Sequence, residues 1–378
     1  HFATASDAFT DKIERSRSLS VDVETGKKVV SVTYLSTSLS STATTSLTSP
    51  GDSIENTPRT RWDPDVSDVN VLESRFGNFL RDVGNVDVEY FGMTPNEALL
   101  MDPQQRMLIG ACDIPAKQKR MKDDPNVSVY VAISHVEYAF DLQRLGHFVP
   151  HAATGSAHSV ACGRLSFIYG LNGPCASIDT ACSSALVASH FLNNSIITME
   201  SSRGLAASIN MCLSRNTSLM FSRAGMLAQD GRCKTMDITA DGYVRQEACC
   251  VLVADTQPFT ENVKSIMSNR VTSNEVFSRV ILASTAVNQD GRSSSLTAPN
   301  GPSQKNLIEL ALERGKYYPT DVSSLQMHGT GTSLGDPIEV GAACDGLVSR
   351  AARDYPLVFH AVKSHVGHGE TSAGLMGI

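Results

Sequence analysis

The sequence predicts a layered α/β fold, and three observations carry that prediction. The apolar runs "VSVYVAIS" (127–134) and "SRVILAST" (278–285) read as buried strands. "PSQKNLIELALERG" (302–315) reads as a helix, with Pro302 near its start and Gly315 at its end. Strands alternating with helical segments favour helices layered on sheet. The 378 residues, 41% hydrophobic and 19% charged, suffice for one large α/β domain or two halves of ordinary size.

Along the chain, residues 1–57 differ in character from the remainder. Eleven of the fourteen residues from Ser36 to Ser49 are Ser or Thr, a composition that buries little and reads as a linker or poorly ordered segment. "KKVVSVTYL" (27–35) can form one strand, with nothing to join it to the main sheet. From Thr57 the chain turns globular. The polar stretch 256–276 is the expected connection between two halves. The basic run "KQKRMK" (117–122) precedes Asp123 and Asp124, and reads as a solvated face, with a docking patch for an acidic partner as the alternative. A net charge of −7 argues against a nucleic-acid binder. No run of eighteen apolar residues suggests a membrane span. The chain starts at His1 with no apolar signal segment, and so reads as a fragment of a longer polypeptide.

The nine cysteines are scattered, without C-x-x-C spacing, which fits reduced thiols better than disulfides or a zinc site. One of them stands out. In "DTACSSALVASHF" (179–191) Cys182 sits between small residues just before a segment able to form a helix. A helix N-terminus lowers a thiol's pKa, so Cys182 is a candidate nucleophile; a buried packing cysteine is the alternative for this stretch alone. Two later stretches supply histidines. "MHGTGTSLGDPIEVGA" (327–342) follows the apolar residues around Leu325, and "KSHVGHGETSAG" (363–374) follows "LVFHAV". Each reads as a strand end opening into a glycine-rich loop that carries a histidine. A helix-start cysteine with histidines on two matching loops forms a constellation that packing explains poorly.

"GPCASIDTACSSALVA", "HGTGTSLGDPIEVGA", "KSHVGHGETSAG" and "MDPQQRMLIGAC" together resemble the β-ketoacyl synthase domain of type I polyketide synthases. "RWDPD" (61–65), "MLAQDGRCKTMD" (226–237) and "TAVNQDGRSSSLTAPNGPSQKNLIELAL" (285–312) add to the resemblance, which covers about 58–378. It implies a thiolase-like fold of two related α/β halves in an αβαβα arrangement. On this reading 58–255 form the N-terminal half with the nucleophile, and 256–378 an incomplete C-terminal half with the histidines.

The resemblance implies that Cys182 takes an acyl chain from the phosphopantetheine arm of an acyl carrier protein. A malonyl-type extender then loses CO₂, and its carbanion attacks the thioester. His328 and His368 would donate N–H bonds to the extender's thioester oxygen, where charge develops. Thr330 and Thr332 match threonines that hold the pantetheine amide, Lys363 would orient the loops by hydrogen bonding, and Asp336 and Glu339 would give structural support. No metal and no directly bound cofactor is implied. The implied partners are the acyl carrier protein, a second copy in a homodimer, and other polyketide synthase domains. The implied location is cytoplasmic or organellar, with a plastid as one option.

Several positions depart from the pattern. Gln246, Ala248 and Cys250 stand where glycines are usual, "AASIN" (206–210) lacks a Gly-Gly pair, and His365 replaces an Asn. Lost glycines would cost stability or reshape the pocket if those positions need positive φ or close packing. The family's first strand is not recognisable, and its last strands and final glycine-rich loop would lie beyond Ile378. Little condensation activity is therefore expected of residues 1–378 alone. Three alternatives stand beside the polyketide reading: a type I fatty-acid synthase condensing domain, a catalytically silent scaffold, and a degradative thiolase. The last would want a second active-site cysteine near the C-terminus.

Overall fold

The computed structural model describes residues 28–38, 53–63, 75–258, 280–349 and 352–378. Its strands are β1 (Lys28–Ser38), β2 (Glu55–Asn56), β3 (Phe76–Asn78), β4 (Val127–Ala132), β5 (Cys175–Ile178), β6 (Arg203–Asn210), β7 (Arg245–Gln246), β8 (Ala248–Pro258), β9 (Val280–Ile281), β10 (Ser324–Gln326) and β11 (Val358–His360). The helices that matter for the site are α1 (Pro103–Gln118), α2 (His158–Tyr169), α3 (Ser184–Ile197), α4 (Gly301–Gly315), α5 (Gly335–Ala343), α6 (Lys363–Val366) and α7 (Ala373–Gly377).

A six-stranded sheet runs β5-β4-β6-β8-β1-β9. Strands β5, β4 and β6 are mutually parallel, while β8 is antiparallel to both β6 and β1. Both faces of this sheet are covered. Alternate residues Val127, Val129 and Val131 pack with Leu108 and Ile109 of α1 and Leu165 of α2. On the other face Tyr130 and Ala132 pack with Ala185, Ala188, Leu192 and Ile196 of α3, and Leu375 of α7 joins them. Every residue of β4 is buried, as its unbroken apolar run requires of a strand sandwiched between helices. A parallel pair, β10 and β11, lies apart from the main sheet, and a small third sheet is ordered β2-β3-β7.

Two expectations need correction. Within 1–57, residues 28–38 do join the main sheet: β1 pairs with β8 along its whole length, burying Val30 and Val32 against the α3 face. Its serines and threonines disguise the two-residue alternation that sends those valines inward. The rest of that stretch, apart from 53–57, lies outside the described residues. "SRVILAST" is not a buried strand either. Only Val280–Ile281 pair, at the outer edge of the sheet beside β1, and they are 59% and 44% exposed. The expected connection 256–276 falls mostly outside the described residues.

Helix α4 begins where expected. Asn300 caps it by accepting the Ser303 N–H, with Pro302 in its first turn. Its left-handed terminal residue is Lys316 (φ 59°), one place beyond Gly315. None of the substituted glycine positions has a left-handed backbone: Gln246, Ala248 and Cys250 all lie in strands and are fully buried, and Gln246 Oε1 has no hydrogen-bond partner among the described residues.

Candidate active site

The turn before α3 positions Cys182. Strand β5 ends at Ile178, and Ala181–Ser183 form a 3₁₀ turn leading into α3. The Asp179 Oδ1 accepts from the Ala181 N–H (3.1 Å) and from the Ser134 hydroxyl (2.7 Å), tying the turn to the end of β4. Ser184 Oγ accepts the Thr180 N–H at 2.8 Å and donates to the Ala181 carbonyl at 2.7 Å. Ala181 itself is left-handed (φ 52°), a strained state for a residue with a Cβ. The effect is to hold half-buried Cys182 at the carboxyl ends of parallel strands, where α/β sheets carry their sites.

The two histidine loops leave the same end of the β10–β11 pair, whose parallel register matches Gln326 with His360. In the first loop Glu339 of α5 accepts the backbone N–H groups of His328 (2.5 Å) and Gly329 (2.8 Å). Asp336 accepts from Gly331 and, across to another segment, from Met236 (3.0 Å). Thr332 Oγ1 accepts the Gly335 N–H, and Thr330 is buried in the same turn. Gly331 is required here: its φ is 79°, and a Cβ would sit 2.5 Å from the Lys234 nitrogen. In the second loop His368 is stitched to β7. Its N–H donates to the Val244 carbonyl (2.8 Å), and its own carbonyl accepts from Gln246 (3.0 Å). Tyr243 meets the His368 ring edge-on at 4.9 Å.

These scaffolds bring three side chains together. His368 Nε2 lies 3.0 Å from Cys182 Sγ, and the two histidine rings stand nearly perpendicular with centroids 5.3 Å apart. One ligating atom from each of Cys182, His328 and His368 lies within 4.8 Å of the others. His365 is exposed and outside this group, and no second cysteine belongs to it.

The electrostatics differ from what a helix-start cysteine suggests. Burial, with the Glu370 carboxylate adding to it, pushes the Cys182 thiol up to about 11, although the Lys363 ammonium pulls the other way. A helix terminus contributes up to about 2 kcal/mol, or about one and a half pH units, which would not restore a thiolate at neutral pH. Desolvation, then the proximity of His328 and the Lys363 ammonium, hold His368 well below its ordinary value. These shifts favour a thiol beside a neutral imidazole at rest. Desolvation and Lys363 likewise lower His328 to about 4. The His328 side chain is also exposed to solvent, which argues for a smaller depression; the direction, a neutral imidazole, follows either way. Lys363 is buried and its pKa is lowered by desolvation. Its ammonium makes no hydrogen bond among the described residues and acts on the site through charge.

A buried ionic cluster stands behind His368, and the motifs alone do not reveal it. Glu370 accepts from Arg245 Nε at 2.6 Å and Nη2 at 3.1 Å, and its Oε2 lies 2.7 Å from His135 Nε2. Burial would raise the Glu370 carboxyl, but Arg245 and His135 hold it well below the carboxylate range. Arg61 makes a second bidentate pair with Glu247, both bonds 2.7 Å. The available signal was two charges, Arg245 and Glu247, inside the apolar run "YVRQEACCVLVA". The basic run is partly neutralised at the surface, Lys117 by Asp113 and Arg120 by Asp123, as a solvated face would be.

Among the described residues no helix is long and apolar enough to cross a membrane. Residues 35–257 match the family model of the β-ketoacyl synthase N-terminal domain, and 280–378 that of its C-terminal domain. The chain is 35% identical over 339 residues to a phenolphthiocerol/phthiocerol polyketide synthase subunit of Mycobacterium tuberculosis, covering 86% of this chain and 18% of that protein. It is 37% identical over 324 residues to polyketide synthase GfsE of Streptomyces halstedii, covering 84% of this chain and 8% of the relative. Among solved structures, the oxazolomycin ketosynthase domain OzmH KS7 of Streptomyces albus superposes with a TM-score of 0.81 at 25% identity, over 93% of this chain and 61% of the other. The ketosynthase from module 6 of the bacillaene synthase of Bacillus subtilis gives 0.78 at 28% identity, over 92% and 60%. The expected thiolase-like α/β fold is therefore present, and the chain belongs to the β-ketoacyl synthase family.

Proposed function

We propose that this chain is the ketosynthase part of a polyketide synthase and catalyses decarboxylative condensation at Cys182. The contact between His368 Nε2 and Cys182 Sγ at 3.0 Å, with a second neutral imidazole beside it, carries this reading. In the loading step His368 takes the thiol proton as sulfur attacks an acyl thioester, and the proton passes to the departing pantetheine thiolate. Cys182 is left as the thioester and His368 is neutral again. His328 can then donate an N–H bond to the extender's thioester oxygen as CO₂ departs, and His368 can do so once proton exchange with solvent has returned it to the Nε2–H tautomer. The resulting carbanion attacks the Cys182 thioester; the β-ketoacyl product leaves and the cysteine regains a proton.

Around this centre Thr330 and Thr332 would hold the pantetheine amide, Asp336 and Glu339 fix the first loop, and Lys363 sets the local charge. The reaction so written calls on no metal or directly bound cofactor; phosphopantetheine arrives on the acyl carrier protein. That carrier, a second copy of the chain and the other synthase domains are the proposed partners. The relatives named are bacterial, which favours the cytoplasm and lends no support to an organelle. A thiolase reading is disfavoured by the paired histidines beside Cys182, which suit decarboxylative condensation better.

Intact-mass measurement with an acyl-pantetheine thioester tests the proposal. The expected result is one acyl group on Cys182, followed by CO₂ release from a malonyl thioester. Folded protein that takes no acyl group at Cys182 would overturn it and leave the scaffold reading.

A further inference from the structure

We propose that Cys182, His328 and His368, while Cys182 carries no acyl group, form a binding site for a thiophilic divalent cation, zinc above all. Among the described residues this is the one group of three such side chains whose ligating atoms converge, all within 4.8 Å. Zinc holds sulfur at about 2.3 Å and imidazole nitrogen at about 2.0–2.1 Å. Tetrahedral angles at those lengths separate the ligating atoms by about 3.3–3.6 Å. The Cys182–His368 pair, at 3.0 Å, must open slightly to admit the ion, and the His328 nitrogen, within 4.8 Å of both, must draw in.

One sulfur and two imidazoles leave a fourth tetrahedral position for water. A soft donor selects zinc or cobalt over magnesium or calcium. Binding balances simply: the Cys182 thiol releases its proton to solvent as sulfur bonds to the ion. Lys363 opposes the added charge, while Glu370 offsets it. Metal and acyl group need the same sulfur, so each excludes the other. Free zinc would hold the unloaded enzyme in a resting state that a chelator reverses.

The test is titration of the reduced, unacylated protein with cobalt(II) chloride alone, followed by displacement with zinc chloride. One equivalent of cobalt should produce a sulfur-to-cobalt charge-transfer band, and one equivalent of zinc should abolish it. The band should be missing from Cys182→Ala and from protein capped with iodoacetamide. His328→Ala removes a ligand, so it should weaken binding by at least the 10–100-fold, roughly, that loss of an outer-shell partner costs. Circular dichroism checks that each variant is folded. Folded wild-type protein without the band, or Cys182→Ala binding cobalt as tightly as wild type, would overturn the proposal.

Discussion

The two histidine loops look alike in sequence and are built differently. Each leaves a short parallel strand, each is rich in glycine, and each brings one imidazole to Cys182. His368 is 1% exposed, hydrogen-bonded through its backbone to β7 and backed by the Arg245–Glu370 pair. His328 is exposed, and its loop is held by carboxylates from α5 that accept backbone N–H groups. A buried imidazole 3.0 Å from the thiol is within hydrogen-bond reach of its proton. An exposed one at the mouth is suited to meeting an incoming extender. On the proposed function, matching motifs conceal a division of labour.

Separating the two steps breaks the comparison most sharply. His368→Ala should slow acylation of Cys182 by about 10²-fold or more, the usual scale for a lost general base. His328→Ala should leave acylation nearly intact and slow malonyl decarboxylation by about 10²–10³-fold. Rapid-quench mass spectrometry of acyl-enzyme and CO₂ release read the two steps apart. Equal losses of acylation in both variants would remove the distinction.

The supports should differ in stability as well. Glu370→Gln leaves the buried Arg245 with only the more distant Glu137 carboxylate, 4.0 Å away, and breaking a buried pair costs up to about 3–5 kcal/mol. Glu339→Gln keeps one acceptor oxygen for two backbone donors, with an expected cost of about 1–3 kcal/mol. Urea denaturation of the two variants gives the order, and a larger loss for Glu339→Gln would contradict it.

A smaller effect lies in the pH dependence. His328 and His368 both have pKa values below the unfolded histidine value of about 6.5, so the unfolded chain binds protons first as pH falls. The stability they allow is fully present above about pH 6.5 and declines below it, toward about 4 for His328. His368→Asn should flatten this decline more than His328→Asn, because solvent screens the exposed ring. Equal flattening would place both rings in equivalent surroundings.

Legibility in the sequence followed the range of the interactions. Cys182, His328 and His368 were readable because each lies in a local motif whose glycines and small residues have a local backbone purpose, as Gly331 shows. Strand β4 was readable from its apolar run, and α4 from Pro302 and Gly315 at its two ends. Strand β1 was not: its partner β8 lies over two hundred residues away, and its valines are interleaved with Ser and Thr. The Arg245–Glu370 pair joins residues 125 positions apart. The thiol's raised pKa escaped for the same reason, since it depends on burial and on Glu370, neither visible beside Cys182. A helix-start position is a local fact, and here non-local terms outweigh it.

The protonation state of Cys182 at rest is the point on which the division of labour depends. The rate of iodoacetamide labelling at Cys182, followed by peptide mass from about pH 6 to about 11, measures it directly. A thiol whose proton leaves only during attack should label slowly at neutral pH, with a rate that climbs through about pH 9 toward about 11. A rate already at its plateau near pH 7 would show a resting thiolate, and would return the activation of Cys182 to the helix terminus rather than to His368.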